Sequence, residues 1–303
     1  MTSRALPASR AGFTLIEVLI ATVIGVIVLT ASTSLAMSTW QSLAGTQLRD
    51  GIDRNARFIG MSLSRDLQEA GVDLESKASF GSLAVYGDTI SILHVPYDPT
   101  EAQPYPVSVA NYANGICGAT CVEIQTGGPA PVMADGDLAV IQSQTVRRLI
   151  RVTAVAAVGG GYRVDFANNT TLLNRPAGLP AISNPAATFV QRLATSTYWR
   201  NGTQLMRASA VSVAGVPQGE ILATSVQSLA ATLVFTDGHE AAFADGADAD
   251  ITNNYDQIAA IRLRFILQAD RTSPRINNGV LLTRAKEWYL VPRNLVYERN
   301  RIP

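Results

Sequence analysis

The chain predicts an α+β protein: a long N-terminal α-helix, apolar in its first half and amphipathic in its second, packed on a mostly antiparallel β-sheet head. Three observations predict it: an apolar run at residues 13–31 with one acid in it, apolar spacing by threes and fours from Trp40 to Ala70, and a change beyond Gly71 to two-residue alternation punctuated by turn residues. Composition sets the outer limits. With 303 residues and 47% hydrophobic side chains there is material for a substantial core. Lys+Arg and Asp+Glu both number 24, which removes the net positive charge typical of a nucleic-acid coat. Two His and two Cys leave little for a zinc site built from several imidazoles.

The apolar run comes first. Residues 13–31 read FTLIEVLIATVIGVIVLTA, long enough to cross a hydrocarbon core of about 30 Å as a helix. Between residues 13 and 48 the only ionisable side chain is Glu17. The preceding residues carry Arg4 and Arg10 and no acid, so the positive-inside rule places them in the cytoplasm and the bulk of the chain outside. A cleaved secretory signal, cut near Ala31 or Ala36, and a simple uncleaved anchor are the plain alternatives. The run exceeds a typical signal core, and a carboxylate buried in lipid costs about 2 to 4 kcal/mol, which argues for a partner.

Arg10-Ala11-Gly12-Phe13-Thr14-Leu15-Ile16-Glu17 resembles the prepilin cleavage motif of type IV pilins and type II secretion pseudopilins. The elements of the likeness are a short basic leader, a Gly before the cut, an aromatic residue after it, and Glu five residues into the mature chain. The resemblance implies a leader at residues 1–12, cleavage between Gly12 and Phe13 by a prepilin peptidase, and N-methylation of Phe13. It further implies assembly with other minor and major pilins on an inner-membrane platform. Glu17 is then expected to pair with the new Phe13 amine of an adjacent subunit, because opposite charges attract far more strongly in an apolar medium than in water.

The helix is expected to run over residues 13–70, with 13–37 as its transmembrane part. Trp40, Ala44, Leu48, Ile52, Ala56, Ile59, Leu63, Leu67 and Ala70 make one docking stripe. On the wet face, Asp50 with Arg54, Asp53 with Arg57 and Arg65 with Glu69 stand one turn apart, and Gly71 is the stop signal. No Pro interrupts residues 13–70, so any kink must come from Gly25, Gly45 or the Ser/Thr-rich stretch 30–34.

Residues 71–303 form the expected extracytoplasmic head. Strand patterns occur at 82–95, 137–142, 149–158, 162–167, 189–199, 204–213, 226–235, 258–268 and 280–291. Gly159-Gly160-Gly161 and Asn201-Gly202 sit between such runs as turns. Neither precedes a helical pattern, so neither is a phosphate cradle. The stretches 95–106 and 168–185 read as long surface loops.

A second layer of resemblance covers the head. Arg65-Asp66-Leu67 with Glu69-Ala70-Gly71, then Tyr198, Leu205-Met206-Arg207 and Arg293-Asn294-Leu295, are similar to the sparse pattern of PilW-type minor pilins, relatives of the J-type pseudopilin. This resemblance implies a minor pilin that helps prime a type IV pilus and sits at or near its tip. A J-like subunit of a type II secretion pseudopilus, and a tip subunit for adhesion or DNA uptake, are the alternatives.

Other residues invite chemistry. Cys117 and Cys121 suit a small-loop disulfide in an oxidising compartment, with free thiols or a zinc site as the other readings. Asp245, Asp248 and Asp250 offer a weak calcium candidate, although their order departs from an EF-hand loop and a solvated turn is the default. Arg147, Arg148 and Arg151 could meet phosphates, yet on a strand they divide between two faces. His94 and His239 lack a local nucleophile or metal partner, and neither a G-x-S-x-G nor an H-E-x-x-H motif is present. The expectation is a structural subunit without catalysis or cofactor.

Overall fold

The computed structural model describes residues 14–108, 120–143, 146–168, 185–211, 217–246, 249–272 and 277–301. It has the expected α+β architecture, a long N-terminal helix and a large antiparallel head. The chain divides into two compact units, Met1–Gly51 with Asp270–Leu282, and Ile52–Ala269 with Thr283–Pro303.

Helix α1, Leu15–Glu69, is 55 residues long, about 82 Å at 1.5 Å per residue. It is continuous through the predicted weak points. Thr22, Thr30, Thr33, Ser38, Thr39 and Thr46 fold their hydroxyls back onto carbonyls three or four residues earlier, so these polar side chains burden neither lipid nor a neighbouring helix with an unpaired donor. An 18-residue window reaches a mean hydropathy of 2.4 with none of its residues buried, long and apolar enough to cross a membrane. Burial starts at Leu48 rather than Trp40, which is 75% exposed. Apolar spacing alone does not distinguish a face docked on a head from a face left to lipid or another helix.

In the second unit, Ile52, Ala56, Ile59, Leu63, Leu67 and Ala70 are buried, the stripe expected of an amphipathic helix. Its exposed flank does not hold the ladder of intrahelical pairs that the spacing suggested. Asp53 is instead taken by two cations of a distant strand, Arg284 at 2.8 Å and Lys286 at 2.9 Å. Gly71, at φ +79°, ends the helical segment as predicted, donating its N–H to the Leu93 carbonyl.

Among the described residues fourteen strands follow: β1 (Leu83–Tyr86), β2 (Thr89–His94), β3 (Tyr105–Pro106), β4 (Cys121–Ile124), β5 (Leu138–Ser143), β6 (Val146–Val158), β7 (Gly161–Asn168), β8 (Thr188–Asn201), β9 (Gln204–Val211), β10 (Pro217–Ala223), β11 (Val226–Phe235), β12 (Glu240–Ala241), β13 (Ile258–Gln268) and β14 (Thr283–Leu290). A short helix α2, Arg293–Arg301, follows β14. The run at 82–95 is a hairpin rather than one strand, because Gly87 at φ +61° turns the chain. The stretch 95–106 is not wholly a surface loop: it ends in β3, whose Tyr105 is buried.

β8 organises the larger sheet. Its first half pairs with β3 on one edge and β5 on the other, and its second half with β2 and β9. From β5 the order continues through β6 and β7 to β4. β4 then returns to β3 through the Val107–Ile124 bridge and the Ser108 N–H to Glu123 carbonyl bond of 2.8 Å. Strands β3 to β7 and the start of β8 thus close a small antiparallel barrel. Its interior is filled by one apolar cluster that includes Tyr105, Ile124, Ile141, Val152, Phe166 and Val190. Beyond it, β1, β2, β8, β9 and β10 form an open sheet.

The smaller sheet has the order β12-β11-β13-β14. Ile261, Leu263, Phe265 and Leu267 of β13 are buried on one face, and Trp288 of β14 shares that face through its pairing with Leu263. The Trp288 indole lies over Gly60 of α1, where an added Cβ would sit 3.3 Å from the ring, and meets Phe265 edge-on at 5.2 Å. The smaller sheet therefore covers one side of residues 52–69, and β8 and β9 reach the other.

Candidate assembly site

The N-terminal end of α1 is built by Thr14 and Glu17. The Thr14 N–H and hydroxyl both donate to Glu17 Oε2 at 2.9 Å, and the Glu17 N–H donates to Thr14 Oγ1 at 3.3 Å. This is a reciprocal capping box. It satisfies donors that a helix end leaves open, and it gives the carboxylate neutral partners where the surroundings are otherwise apolar. Sequence reasoning singled out Glu17 and missed Thr14, although the T-x-x-E spacing was the available signal. Gly12 and Phe13, the predicted cleavage and methylation residues, lie outside the described residues.

The C-terminal end of α1 carries a second polar constellation. Asp66, 3% exposed, accepts from the Tyr198 hydroxyl at 2.5 Å and from Arg207 Nε at 2.9 Å and Nη2 at 2.8 Å. Tyr198 is fully buried and also meets Ser62 Oγ at 3.3 Å. Burial, and after it the Asp66 carboxylate it serves, pushes the Tyr198 hydroxyl well above its ordinary pKa. Burial opposes the Arg207 charge, but the hydrogen bond and charge of Asp66 outweigh it and its pKa is raised. A carboxylate in a head core is tolerable only when its lone pairs are used, and here three donors use them.

One turn further on, Asn294 Nδ2 donates to the Gln68 carbonyl, and Leu295 stands where a Cβ on Gly71 would lie 3.2 Å from it. The scattered residues Asp66, Gly71, Tyr198, Arg207, Asn294 and Leu295 converge on this one junction, where helix, open sheet and C-terminal helix meet. His94 closes it: the ring is buried, its Nε2 is 3.8 Å from Glu69 Oε2, and Tyr97 lies beside it.

The remaining candidates are placed as follows. Cys121 is disulfide-bonded, and Cys117 lies outside the described residues. Asp248 also lies outside them, while Asp250 Oδ1 caps Thr252 through its N–H at 2.9 Å and hydroxyl at 2.6 Å. Among the described residues no group of three His, Cys, Asp or Glu is placed to hold a metal. The flanks of the acidic loop pack, while residues 249–252 are exposed. A Cβ on its Gly246 would fall 2.1 Å from the Ala78 carbonyl, and Tyr255 donates its N–H to that carbonyl. Arg147 is buried, engaged by Gln142 and Glu75, so it presents no charge to a phosphate; Arg148 turns to the opposite face. His239 pairs with Asp237 at 2.6 Å and stacks on Phe235, a local turn contact.

Residues 7–33 match the family described as the prokaryotic N-terminal methylation motif. No curated protein gives a significant match to the chain. The motif, at the start of an exposed apolar helix joined to an antiparallel β head, supports a type IV pilin or pseudopilin. It suggests a structural subunit rather than an enzyme, and it fits a membrane-anchored protein that associates with pilins and a membrane assembly system.

Proposed function

We propose that the chain is a PilW-like minor pilin, which joins other minor pilins in the inner membrane to prime a type IV pilus and then stays at or near its tip. Before assembly its N-terminal helix spans the inner membrane and its head stands in the periplasm; after assembly both are part of an extracellular filament. The observation that carries this reading is Glu17, a lone carboxylate on an exposed apolar helix, five residues into the chain that cleavage after Gly12 would leave. Its cap with Thr14 meets the hydrogen-bonding need of the isolated helix without neutralising the charge, and a Phe13 amine on a neighbouring subunit would do both. The convergence of Asp66, Tyr198, Arg207 and Asn294 on one junction supports the PilW-like assignment, since it gives those scattered residues a common role.

Mass spectrometry of the chain isolated from its host is the test. The expected mature protein begins at a methylated Phe13. A chain that retains Arg4 and Arg10, or that starts near Ala36, would sink the reading. Deletion then separates the alternatives: loss of surface pili supports the pilus role, trapped exoprotein a secretion pseudopilus, and lost DNA uptake with intact pili an uptake role.

A further inference from the structure

The sequence sets Asp53 four residues before Arg57, and Arg65 four residues before Glu69, spacings that ordinarily tie helical charges together in pairs. In the head neither pair forms. Asp53 is held by Arg284 and Lys286, so Arg57 keeps only an Nε–H bond of 3.3 Å to the Asp53 carbonyl, and Glu69 stands beside His94. Among the described residues no carboxylate pairs with Arg54, Arg57 or Arg65.

These three cations share one face of α1. Over residues 54–68 the exposed side chains are Arg54, Arg57, Phe58, Met61, Arg65 and Gln68. At about 100° per residue they fall within an arc of about 100°, a straight stripe about 21 Å long. Phe58 and Met61, 49% and 66% exposed, stand at its middle with arginines on either side, and the one acid of this stretch, Asp66, is buried. A face meant only for water mixes both charge signs and turns large apolar side chains inward. Arg, Met and aromatic residues are instead the types enriched where proteins meet, with an apolar centre inside a polar rim.

We propose that this stripe is a docking face for an amphipathic helix of a different subunit, one that carries Asp or Glu on both sides of an apolar centre. Shape and charge choose that occupant. Another rod can follow a narrow straight stripe along its length, and carboxylates about three turns apart would meet Arg54 and Arg65 while apolar side chains close over Phe58 and Met61. A second copy laid face to face would set Arg against Arg, which like-charge repulsion disfavours. A nucleic acid would answer the cations but leave Phe58 and Met61 uncovered. A lipid surface takes hold through a broad apolar face, and two apolar side chains in four turns supply little of one. That the acidic helix belongs to another pilin-type subunit rests on the filament reading above; the composition of the face does not.

Photocrosslinking tests this on the full-length chain in membranes of its host, with p-benzoylphenylalanine in place of Met61 and adducts mapped by mass spectrometry. The expected adduct lies in an acidic helical segment of another subunit that bears the N-terminal methylation motif. The Arg54→Glu/Arg65→Glu variant, changed at exposed positions, is expected to melt as wild type does and to lose about tenfold in adduct yield. Lys in place of the two partner carboxylates nearest the adduct is expected to restore most of that yield, a rescue that a misfolded variant would not allow. The docking face is overturned, and the filament reading left standing, by no adduct, by an adduct to a second copy, to lipid or to nucleic acid, or by a yield that ignores either charge reversal. An adduct to an acidic helix of a protein without the motif leaves the face standing and overturns the pilin-type identity of its partner.

Discussion

The hydroxyl of Tyr198 donates to the carboxylate of Asp66 across 132 residues of sequence and 2.5 Å of space, and Arg207 donates to the same oxygen. This contact ties the helix to the open sheet by the one interaction that an apolar neighbour could not replace without leaving a charge behind.

Removing the acid alone should be the costliest change at that junction. Asp66→Ala strands the Arg207 charge and should lower stability by about 3 to 5 kcal/mol, whereas Tyr198→Phe removes one donor and should cost about 1 to 3 kcal/mol. Replacing Asp66 and Arg207 together by Leu and Met should recover part of the first loss. Chemical unfolding of the three variants, followed by near-UV circular dichroism, gives the order; equal costs for the first two would refute it.

Thr14→Val keeps the charge of Glu17 but deletes one donor to it and the acceptor of its own N–H. Incorporation into filaments should fall modestly, while Glu17→Ala should nearly abolish it. Thr14→Ser, which retains the hydroxyl, should behave as wild type. Quantifying the chain in sheared filaments checks the series, and a Thr14→Val variant as defective as Glu17→Ala would mean that the cap, rather than the charge, governs assembly.

His94 should make the head sensitive to mild acid. Burial lowers its pKa from 6.5, and the facing carboxylates of Glu69 and Asp66 offset this only in part. The unfolded chain therefore takes up its proton first, so stability is complete above about pH 6.5 and declines as the pH falls below it. The melting temperature of wild type should drop more between pH 7 and pH 5.5 than that of His94→Gln. Parallel curves for the two proteins would remove His94 as the cause.

We predict that Cys121 pairs with Cys117, four residues away. Reduction should add the mass of two hydrogen atoms to that peptide and lower head stability by about 2 kcal/mol, the loop-closure value for so short a span. An intermolecular bond, visible as a dimer on non-reducing gels, would contradict the pairing.

Much of this was legible in the chain. Glu17 among apolar residues, the stripe from Trp40 to Ala70, the stop at Gly71 and the turn at Asn201-Gly202 each follow from a local rule of charge, period or φ, and the structure carries both turns and buries the stripe from Leu48 onward. What local rules do not reach is closure. β3 has two residues and β4 four, too few for a period to register, yet they complete the barrel. Asp53 shows the same limit: Arg57 stands one turn away, but Arg284, 231 positions on, takes the carboxylate because the sheet presents it at the right height. The Lys286 hydrogen bond, against slight desolvation, and then the charges of Lys286 and Arg284 hold that carboxyl below the usual range. α2 went unread as well, since nine residues with three arginines give no apolar stripe.

The fourteen residues of β8 have a mechanical consequence. Because one uninterrupted strand belongs to the barrel at its start and to the open sheet at its finish, a pull that tries to part them is borne along its length as shear, with several ladder bonds loaded at once. A flexible tether would pass such strain to its weakest point; this joint spreads it over many hydrogen bonds.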